Sequence, residues 1–555
     1  MTVVPQSRWR FWIPRLATAV VVPLLLLVLL ELALRLFGVG NSVAVTIPCT
    51  DRGHAAYCNN LFYTTIFFPP RMVRTPRPFA IPTDKPRNTF RIVVLGESAA
   101  YGDPDPAYGF SRYLEVMLRN RFPGENFEVI NAGITAVNSH VVLPIAEDLT
   151  RRQPDLFIIY TGNNEVVGPY GPGTVFTSSA MNIHAIRASI FLRSTRLGQV
   201  VTNSFRSKQE KKQEWAGMEL FMDQQIRADS PQMTHVYSNF GANLAEMVKS
   251  ARRAGVPVIV STVAVNLKNC APFGSLHRPG LSKDDLAKWS AFASRGVDLE
   301  NAGQHAAALP FYREAEKIDP DYAELQFRIA RCLWITGYYS DAAERFARAR
   351  DLDTLRFRTD SKENDVIRSV AAAQDAQLLD ATKLFSEASP NGTPGSELFY
   401  DHVHMSPSGN YLLARALFER ASRMLPKDVL NSAINADPPT QEECDQWLAF
   451  TPYDKARVAE DMFYRLQKPP FINQADHFEQ LLNLKLAMEA ESTDYADTIA
   501  RYQWALSRQP GDRMLHLKYS NILMQSDRTA AASELRNARP YDGFPLMLPD
   551  GTHID

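Results

Sequence analysis

The feature that most constrains the fold is an alternation of short apolar runs with amphipathic stretches. Residues 91–96 (RIVVLG) have the composition of a buried strand, and residues 109–122 follow with a helical pattern that opens at Ser111. The alternation continues with a second helix predicted at 139–152 and further strands at 126–133, 154–162, 256–265 and 376–385. Strands that alternate with helices predict an α/β fold with a parallel sheet covered by helices. In such a sheet, ligands bind beyond the carboxyl ends of the strands.

The length and composition limit the class of protein. A chain of 555 residues exceeds what one compact core usually holds, so we expect two or three domains. The formal net charge of −1 gives no sign of the basic surface that nucleic-acid binding needs, and we predict no nucleic-acid partner. The five cysteines form neither a CxxC motif nor a Cys/His cluster of metal-ligand spacing, so we predict no metal site.

An apolar segment near the N-terminus, residues 15–40, is interrupted only by Glu31 and Arg35. At a rise of 1.5 Å per residue, roughly 20 such residues cross a hydrocarbon core of about 30 Å. We therefore predict a transmembrane signal anchor at 16–38. The alternative is a cleaved signal peptide, because the purely apolar part is only about 15 residues long.

The charges beside this segment predict its orientation. Three arginines precede it, namely Arg8, Arg10 and Arg15. The positive-inside rule then keeps residues 1–15 in the cytoplasm and exports the remainder of the chain. We predict a single-pass membrane protein whose main part is extracytoplasmic, or periplasmic in a Gram-negative bacterium.

The segment after the anchor, residues 39–88, is irregular and rich in proline, which is typical of an extended stalk or a wrapping segment. It contains Cys49 and Cys58. In an oxidising compartment these two cysteines can close a small disulfide, and the alternative is a pair of free loop thiols.

Two segments, 302–320 and 336–354, repeat each other at an offset of 34 residues. Small residues and one aromatic residue recur at matched positions, in the pairs Gly303/Gly337, Ala308/Ala342, Tyr312/Phe346 and Ala315/Ala349. This helix-turn-helix pattern resembles the tetratricopeptide repeat, although the early tryptophan of that repeat is missing from both copies. We predict a repeat insertion at 285–355.

The C-terminal region, residues 425–555, has weaker echoes of the repeat at 497–512 and 529–542 and is predicted to be mostly helical. Two isolated repeats cannot bury a continuous core. We therefore expect the repeats to pack against the rest of the chain or against a protein partner.

Ser98 follows the first predicted strand of the sheet, in the sequence GESAAYG. The turn after a buried strand exposes a side chain at the carboxyl edge of the sheet, and the helix that follows presents N–H groups there. Gly96 permits a tight turn at this point. Ser98 is either a nucleophile or only a helix cap, and its partners decide between the two.

A serine nucleophile needs a base, and the base needs a group that orients it. Asp401 precedes His404 by three residues in the sequence YDHVHMS. Both follow the last predicted strand, so they can reach the sheet edge that carries Ser98. His402, in the same motif, is a rival for the role of base.

Two further loops end strands at the same edge. Gly133 lies just past the second strand, where its backbone N–H can point into the site. Asn163 and Asn164 lie just past the third strand, and a side-chain amide there can donate to an oxyanion.

Together these residues resemble the SGNH (GDSL-like) hydrolase family. The resemblance covers residues 91 to about 165, the strand at 256–265, and 376 to about 420. It implies an SGNH hydrolase domain at 89–424, which the repeat insertion interrupts. It also implies a flavodoxin-like three-layer α/β/α fold, and ester hydrolysis or acyl transfer that needs no metal or cofactor. The residues that match the four motif blocks of the family, in order, are Ser98, Gly133, Asn164, and Asp401 with His404.

The resemblance also implies a role for each of these residues. Ser98 is the nucleophile, His404 is the base, and Asp401 orients the imidazole. The N–H groups of Ser98 and Gly133 and the amide of Asn164 hold the oxyanion. The three-residue spacing of the family selects His404 rather than its neighbour two positions earlier.

The chain departs from the sequence motifs of the family at two positions. Glu97 stands where the family has aspartate before the serine, and Glu165 ends the third block where aspartate is usual. Both changes lengthen a carboxylate that takes no part in bond breaking, so they bear on the substrate more than on activity. Ala100 replaces the second glycine of a G-x-S-x-G elbow, which disfavours the α/β-hydrolase superfamily.

The sequence leaves three functions to weigh. The first is a membrane-anchored extracytoplasmic esterase that acts on an acylated carbohydrate, lipid or envelope polymer. The second is an O-acyltransferase of the same fold. The third is an assembly protein whose repeats bind a protein partner and whose hydrolase domain is vestigial. The complete set of site residues favours an enzyme.

Overall fold

The computed structural model describes residues 9–177, 182–205, 214–434, 437–490, 494–548 and 553–554. A long helix, Trp9–Leu36, begins the described chain. Its segment Thr18–Leu36 is apolar and long enough to cross a membrane, and the rest of the protein does not bury it. These properties are those of a membrane span or of a signal sequence.

The segment predicted to be irregular contains a small antiparallel sheet. Its strands are β1 (Thr46–Asp51), β2 (His54–Asn59) and β3 (Ala80–Pro82), with β2 in the middle. The prolines of the segment are compatible with a sheet because the two that lie in strands, Pro48 and Pro82, are on edge strands. Cys49 and Cys58 form a disulfide across the β1–β2 pair, so the two half-cystines are not free thiols in this structure.

A five-stranded sheet forms the centre of the protein, and all its strand pairs are parallel, as predicted. The strand order is β5-β4-β6-β7-β8, which is the 2-1-3-4-5 order of flavodoxin-like sheets. The strands are β4 (Thr89–Gly96), β5 (Asn126–Asn131), β6 (Leu156–Tyr160), β7 (Val258–Ser261) and β8 (Gln377–Leu379).

The last strand is much shorter than the predicted 376–385. Asp380 ends it, because its side chain accepts a hydrogen bond from the Lys383 N–H and caps a helix at Ala381–Ala388. The prediction of one strand over 376–385 was therefore wrong, because Asp380 is the N-cap of a helix.

Helices flank the sheet in two packed groups. Ser139–Leu149 and Ser361–Ala373 both pack on Pro231–Arg253, and Phe110–Arg121 packs on Pro407–Ser422. The helices between β4 and residue 424, outside the repeats, are Ser98–Tyr101, Phe110–Arg121, Ser139–Leu149, Ile183–Ser194, Arg196–Phe205, Pro231–Arg253, Ser361–Ala373, Ala381–Ala388 and Pro407–Ser422. Short 3-10 helices lie at Tyr63–Ile66, Pro106–Tyr108, Thr150–Arg152, Gly217–Phe221, Pro390–Gly392 and Phe471–Asn473.

The inserted repeats form two helix pairs with a hydrophobic core of their own. The helices are Lys283–Asn301, His305–Ile318, Ala323–Ile335 and Tyr339–Leu352. The residues matched in the sequence are buried in that core, namely Ala308, Tyr312, Ala315, Ala342, Phe346 and Ala349. The matched glycines Gly303 and Gly337 both have positive φ, 73° and 87°, which explains why glycine recurs in this turn.

The C-terminal region is mostly helical, as predicted, but its two halves pack differently. Phe450, Met462 and Leu466 belong to the hydrophobic core of the sheet, whereas Tyr502 and Ala505 belong to a separate small core. The helices are Lys427–Asn431, Gln441–Trp447, Pro452–Leu466, His477–Ala490, Tyr495–Arg508, Arg513–Leu523 and Arg528–Asn537, followed by strands β9 (Leu546–Met547) and β10 (His553–Ile554). The first half therefore brings side chains close to the sheet edge.

Candidate active site

Ser98 lies at the carboxyl edge of the sheet, two residues beyond the end of β4. Gly96 makes the turn possible, because a Cβ at this position would lie 2.0 Å from the carbonyl oxygen of Tyr160. Ser98 then begins the helix Ser98–Tyr101, whose N-cap residue is Glu97. The Ser98 hydroxyl contacts a histidine instead of capping that helix, and the side chain is partly exposed.

Ser98, His404 and Asp401 form a continuous chain of hydrogen-bonding atoms. The Ser98 Oγ lies 2.9 Å from His404 Nε2, and His404 Nδ1 lies 2.7 Å from Asp401 Oδ2. The other oxygen of Asp401 accepts hydrogen bonds from the backbone N–H groups of Val403 and His404, at 3.0 and 2.9 Å. The three-residue spacing thus folds into a turn that holds the carboxylate against the imidazole.

His404 and Asp401 shift each other's pKa in opposite directions. Burial disfavours the charged imidazolium, but the carboxylates of Asp401 and Asp103 outweigh burial and raise the pKa of His404. Burial also opposes ionisation of Asp401, but His404 and His402 outweigh it and hold the pKa of this carboxyl well below its ordinary value. Asp401 is therefore the anion that orients the ring and stabilises its protonated form.

His402 lies beside the same carboxylate but in a different environment. Its Nδ1 is 3.2 Å from Asp401 Oδ1, and its ring packs edge-on against Phe273 and Phe471. Burial lowers the pKa of His402 and keeps its ring neutral. The contact to the Ser98 hydroxyl is made by His404.

A second carboxylate faces His404 from the side of the serine. Asp103 Oδ2 lies 3.1 Å from His404 Nε2, and Arg465 donates to both oxygens of Asp103. Burial raises the pKa of Asp103, but the charges of His404 and Arg465 outweigh it and lower the pKa. His404 Nε2 therefore faces two groups, the Ser98 hydroxyl and the Asp103 carboxylate. Arg465 balances the charge of that carboxylate.

Asp103 and Arg465 have no counterpart among the residues proposed from the sequence. Asp103 lies five residues after Ser98, just past the end of the short helix at Gly102, so its closeness to the serine was a usable signal. Arg465 lies on the helix Pro452–Leu466, and no local pattern marks it, because its position depends on how the C-terminal region packs.

Glu97, the first departure from the family motifs, binds the loop that follows β6. Its carboxylate accepts hydrogen bonds from the Thr161 hydroxyl, from the backbone N–H groups of Gly162, Asn163 and Asn164, and from the Asn164 side-chain amide. Burial and the nearby charge of Glu165 raise the pKa of Glu97 to about 8, and the loop donors oppose this rise.

Asn164 therefore reaches the site with one of its amide hydrogens engaged. Its Nδ2 lies 3.2 Å from Glu97 Oε2. A side-chain amide carries two N–H donors, so the second remains for another acceptor. Asn163 has a different task, because its Oδ1 accepts hydrogen bonds from the backbone and hydroxyl of Thr359.

Gly133 lies against the Ser98 turn, as expected from the sequence. A Cβ at Gly133 would lie 2.6 Å from the backbone nitrogen of Tyr101, so a side chain does not fit here. Its N–H, however, donates to Asn131 Oδ1 at 2.9 Å. The Gly133 N–H is thus not a free donor in this structure, and the glycine is needed for close packing.

Glu165, the second departure, links two loops at the same edge. Its carboxylate accepts hydrogen bonds from the N–H and the hydroxyl of Ser139, at 2.8 and 2.7 Å. Burial raises the pKa of Glu165 to about 7. Both lengthened carboxylates therefore accept hydrogen bonds from neighbouring loops.

In the part of the chain that the structure describes, one group of side chains is close enough to hold a metal ion, namely Asp401, His402 and His404, with potential ligand atoms within 4.8 Å of one another. A metal at these atoms would compete with the contacts between His404, Asp401 and Ser98.

Comparison with known proteins identifies the repeat segment. The tetratricopeptide repeat family matches residues 301–355. A curated relative, the small glutamine-rich tetratricopeptide repeat-containing protein 2 of Mycosarcoma maydis, is 28% identical over 87 residues, which are 16% of this chain. The match spans 22% of the length of that relative.

Three solved structures are similar to about three fifths of the chain. One is LAE5, an α/β hydrolase enzyme from the metagenome of Lake Arreo in Spain, with 12% identity, 61% of this chain and 97% of that chain covered, and a TM-score of 0.29. The acetyl xylan esterase AlAXEase has 11% identity, coverages of 60% and 99%, and a TM-score of 0.27. Axe2, an acetylxylan esterase from Geobacillus stearothermophilus, has 13% identity, coverages of 60% and 93%, and a TM-score of 0.27.

TM-scores at this level do not establish a common fold, so neither fold nor activity is carried over from these three proteins. The repeat match is independent of them and agrees with the alignment of the two repeated segments. Residues 301–355 are therefore similar to tetratricopeptide repeats both in sequence and in their paired helices.

Proposed function

We propose that this chain is a serine hydrolase of the SGNH type that cleaves ester bonds, on a flavodoxin-like three-layer α/β/α domain. The observation that carries the proposal is the chain of contacts from Ser98 Oγ through His404 to Asp401, at 2.9 and 2.7 Å. Ser98 lies more than 300 positions before Asp401 and His404 in sequence, and the three residues meet at the edge where α/β sheets bind ligands.

The mechanism follows from these contacts. His404 Nε2 takes the hydroxyl proton as the Ser98 Oγ attacks the acyl carbon, and Asp401 stabilises the resulting imidazolium. The tetrahedral intermediate collapses when the ester C–O bond breaks and His404 returns the proton to the departing alcohol. The acyl group is now on Ser98. An acceptor hydroxyl then gives its proton to His404 Nε2 as its oxygen attacks the acyl carbon. The bond between that carbon and Ser98 Oγ breaks, the acyl group stays on the acceptor, and His404 returns the proton to Ser98.

The oxyanion that forms in each half-reaction needs donors at the same edge. Ser98 opens a helix, so its own N–H has no partner within that helix. The free amide hydrogen of Asn164 is the second donor, and Glu97 holds that amide in place. Gly133 contributes its N–H only if the hydrogen bond to Asn131 is shared or broken.

The acceptor decides whether the enzyme is an esterase or an O-acyltransferase. Water as acceptor gives hydrolysis, and a sugar or lipid hydroxyl gives transfer by the same steps. We propose an ester-bearing carbohydrate, lipid or envelope polymer as the substrate class. The chemistry uses no metal or cofactor.

We further propose that the helix Trp9–Leu36 anchors the enzyme in the membrane with the catalytic part outside the cytoplasm. The disulfide between Cys49 and Cys58 supports this location, because disulfides persist in oxidising compartments. A reporter fused to the C-terminus tests the orientation. A periplasmic alkaline phosphatase fusion is expected to be active, and an active cytoplasmic reporter would contradict the proposed topology.

The activity is tested by hydrolysis of p-nitrophenyl acetate by the purified chain. We expect Ser98→Ala and His404→Ala to abolish or strongly reduce turnover, because each removes a member of the reacting unit. His235→Ala, at an exposed histidine of the helix Pro231–Arg253, is the matched control and should retain full turnover. Equal turnover by Ser98→Ala and the unmodified chain would refute the assignment.

The repeats favour a second function, recruitment of a protein partner. Tetratricopeptide repeats present paired helices as binding surfaces. Ile335 and Tyr338 are exposed at the turn between the helices Ala323–Ile335 and Tyr339–Leu352, at 54% and 60%. In the enzyme such a partner would supply or hold the substrate. If the folded chain shows no turnover and no reaction with a serine-directed probe, this binding role is the one that remains.

A further inference from the structure

Glu31 is a carboxylate within the apolar N-terminal helix, where an unpaired charge would be costly in a membrane. Its two oxygens accept hydrogen bonds from the backbone N–H groups of Arg196 and Leu197, at 3.0 and 2.9 Å. These two residues open the helix Arg196–Phe205, so the carboxylate meets the positive end of a helix dipole. The Arg35 side chain donates a further hydrogen bond at 2.8 Å.

A second contact fixes the same helix beside the end of the apolar segment. The Asn41 N–H donates to Gln199 Oε1 at 2.9 Å, and Gln199 Nε2 donates to the Asn41 carbonyl at 3.0 Å. Gly40 allows this approach, because a Cβ there would lie 2.7 Å from Gln199 Oε1. The chain that leaves the apolar helix is therefore joined to the helix Arg196–Phe205 at two points.

The position of Glu31 sets the depth of these contacts. Glu31 lies five residues before Leu36, the last residue of the candidate span. At 1.5 Å per residue, this places it about 7–8 Å inside the end of the span. Amphipathic helices at a bilayer surface bury their apolar face about 5–10 Å into the boundary between headgroups and acyl chains. The start of the helix Arg196–Phe205 thus lies at the depth of the membrane interface.

The two helices at this position, within residues 183–205, form what we call the juxtamembrane hairpin. At and near its tip, Phe191, Leu192 and Val201 are 69%, 59% and 46% exposed. The hairpin sequence contains no acidic residue, and of its three arginines Arg187 donates to Asn243 Oδ1 on the body of the protein. Exposed apolar side chains on a hairpin without acidic residues fit the boundary between headgroups and acyl chains.

The other side of the hairpin is held by the body of the protein. Ile186 is fully buried, and the Ser189 hydroxyl lies 3.2 Å from the hydroxyl of Tyr170. Arg193 donates to the carbonyl of Ile66 at 3.2 Å. The hairpin therefore connects the membrane side of the molecule rigidly to the sheet domain.

We propose that the juxtamembrane hairpin is a second membrane-binding element, whose tip enters the outer interface of the bilayer beside the N-terminal span. The proposal rests on the membrane anchoring proposed above. Together the span and the hairpin make two attachments, so the catalytic domain has one fixed orientation over the lipid surface. A single flexible anchor would leave that orientation free.

The test uses the full chain reconstituted in vesicles that contain phosphatidylglycerol. One cysteine is introduced at a time and labelled with an environment-sensitive fluorophore, because the native thiols Cys270, Cys332 and Cys444 are buried. Phe191→Cys reports on the hairpin tip and Leu26→Cys on the span. Tyr464→Cys, at a site 60% exposed on the C-terminal region, is the control in water. The quencher is a phospholipid brominated either near its headgroup or near the end of its chains.

We expect the probe at Phe191 to be quenched by the lipid brominated near its headgroup, the probe at Leu26 by the lipid brominated near its chain ends, and the probe at Tyr464 by neither. Glu31→Ala should reduce the quenching at Phe191 without changing that at Leu26. Quenching at Leu26 with none at Phe191 would overturn the hairpin proposal and leave the anchor intact. Quenching at neither position would overturn the anchor as well.

Discussion

Replacing Asp103 with asparagine tests how the site controls its base. The substitution keeps the shape of the side chain and removes one negative charge 3.1 Å from His404 Nε2. Asp401 and the Ser98 hydroxyl stay in place, so the contacts of the reacting unit are otherwise unchanged. The expected result is a less basic His404, because one of the two carboxylates that raise its pKa is gone.

The size of the effect follows from the geometry. Two unit charges 4 Å apart interact by about 4 kcal/mol at an effective dielectric constant of 20, which is an upper bound for a site that water partly reaches. Each 1.36 kcal/mol corresponds to one pH unit in a titration midpoint. We expect a displacement of the midpoint by roughly one to two pH units after solvent screening.

The assay is the pH dependence of the second-order rate at which a fluorophosphonate inactivates the free enzyme. The imidazole must be neutral to take the serine proton, so the rate rises as pH increases through the pKa of His404. In Asp103→Asn the neutral form persists to lower pH, and the rising limb moves toward acid. The plateau at high pH should fall, because a weaker base removes the proton less readily.

The control is Asp461→Asn. Asp461 also pairs with Arg465, at 3.6 Å, but its side chain is 66% exposed and it is not a partner of His404. This variant should leave the rising limb where it is. A midpoint in Asp103→Asn that stays in place or moves toward higher pH would refute the electrostatic account of the site.

Three further predictions concern the packing around the site and the disulfide. Gly133→Ala should abolish most of the activity, because the added Cβ would lie 2.6 Å from the backbone nitrogen of Tyr101, and turnover of p-nitrophenyl acetate measures the loss. Glu97→Gln should lower the free energy of unfolding by about 1–3 kcal/mol in urea titrations, since its amide turns an N–H group toward the loop donors. Replacing Cys49 and Cys58 together with serine should cost about 2–3 kcal/mol of the same free energy, because their bond closes a short loop.

Matched variants define what would contradict these three expectations. Gly124→Ala places a Cβ in open space and should be active, so equal loss in both glycine variants would contradict the packing argument. Glu419→Gln, at a side chain 52% exposed, should leave the free energy of unfolding unchanged. If Glu97→Gln has the same effect as Glu419→Gln, the hydrogen bonds of Glu97 to the loop do not stabilise the fold. If reduction of the unmodified chain leaves its urea midpoint unchanged, the disulfide does not stabilise the fold.

Much of the fold could be predicted from local patterns. The first three parallel strands are continuous apolar runs bounded by turn residues, and the two repeats are marked by Ala308 and Ala342 at equivalent positions. The ends of elements were harder to place. The run at 376–385 looks like one strand, yet Asp380 divides it into a three-residue strand and a helix.

The site was predictable where it depends on the topology of the sheet. Residues that follow parallel strands meet at one edge, which is why Ser98 and His404 could be paired from the sequence. Arg465 depends on the packing of a C-terminal helix, which no local pattern records. The engagement of the Gly133 N–H by Asn131 is a further detail that only coordinates supply.

The central claim is that Ser98 is a nucleophile activated by His404. The most direct measurement is reaction of the folded chain with a fluorophosphonate, followed by peptide mass spectrometry to locate the modified residue. The account predicts a single modification at Ser98, absent from Ser98→Ala and greatly slowed in His404→Ala. Modification of another residue, or equal labelling of Ser98→Ala, would contradict it.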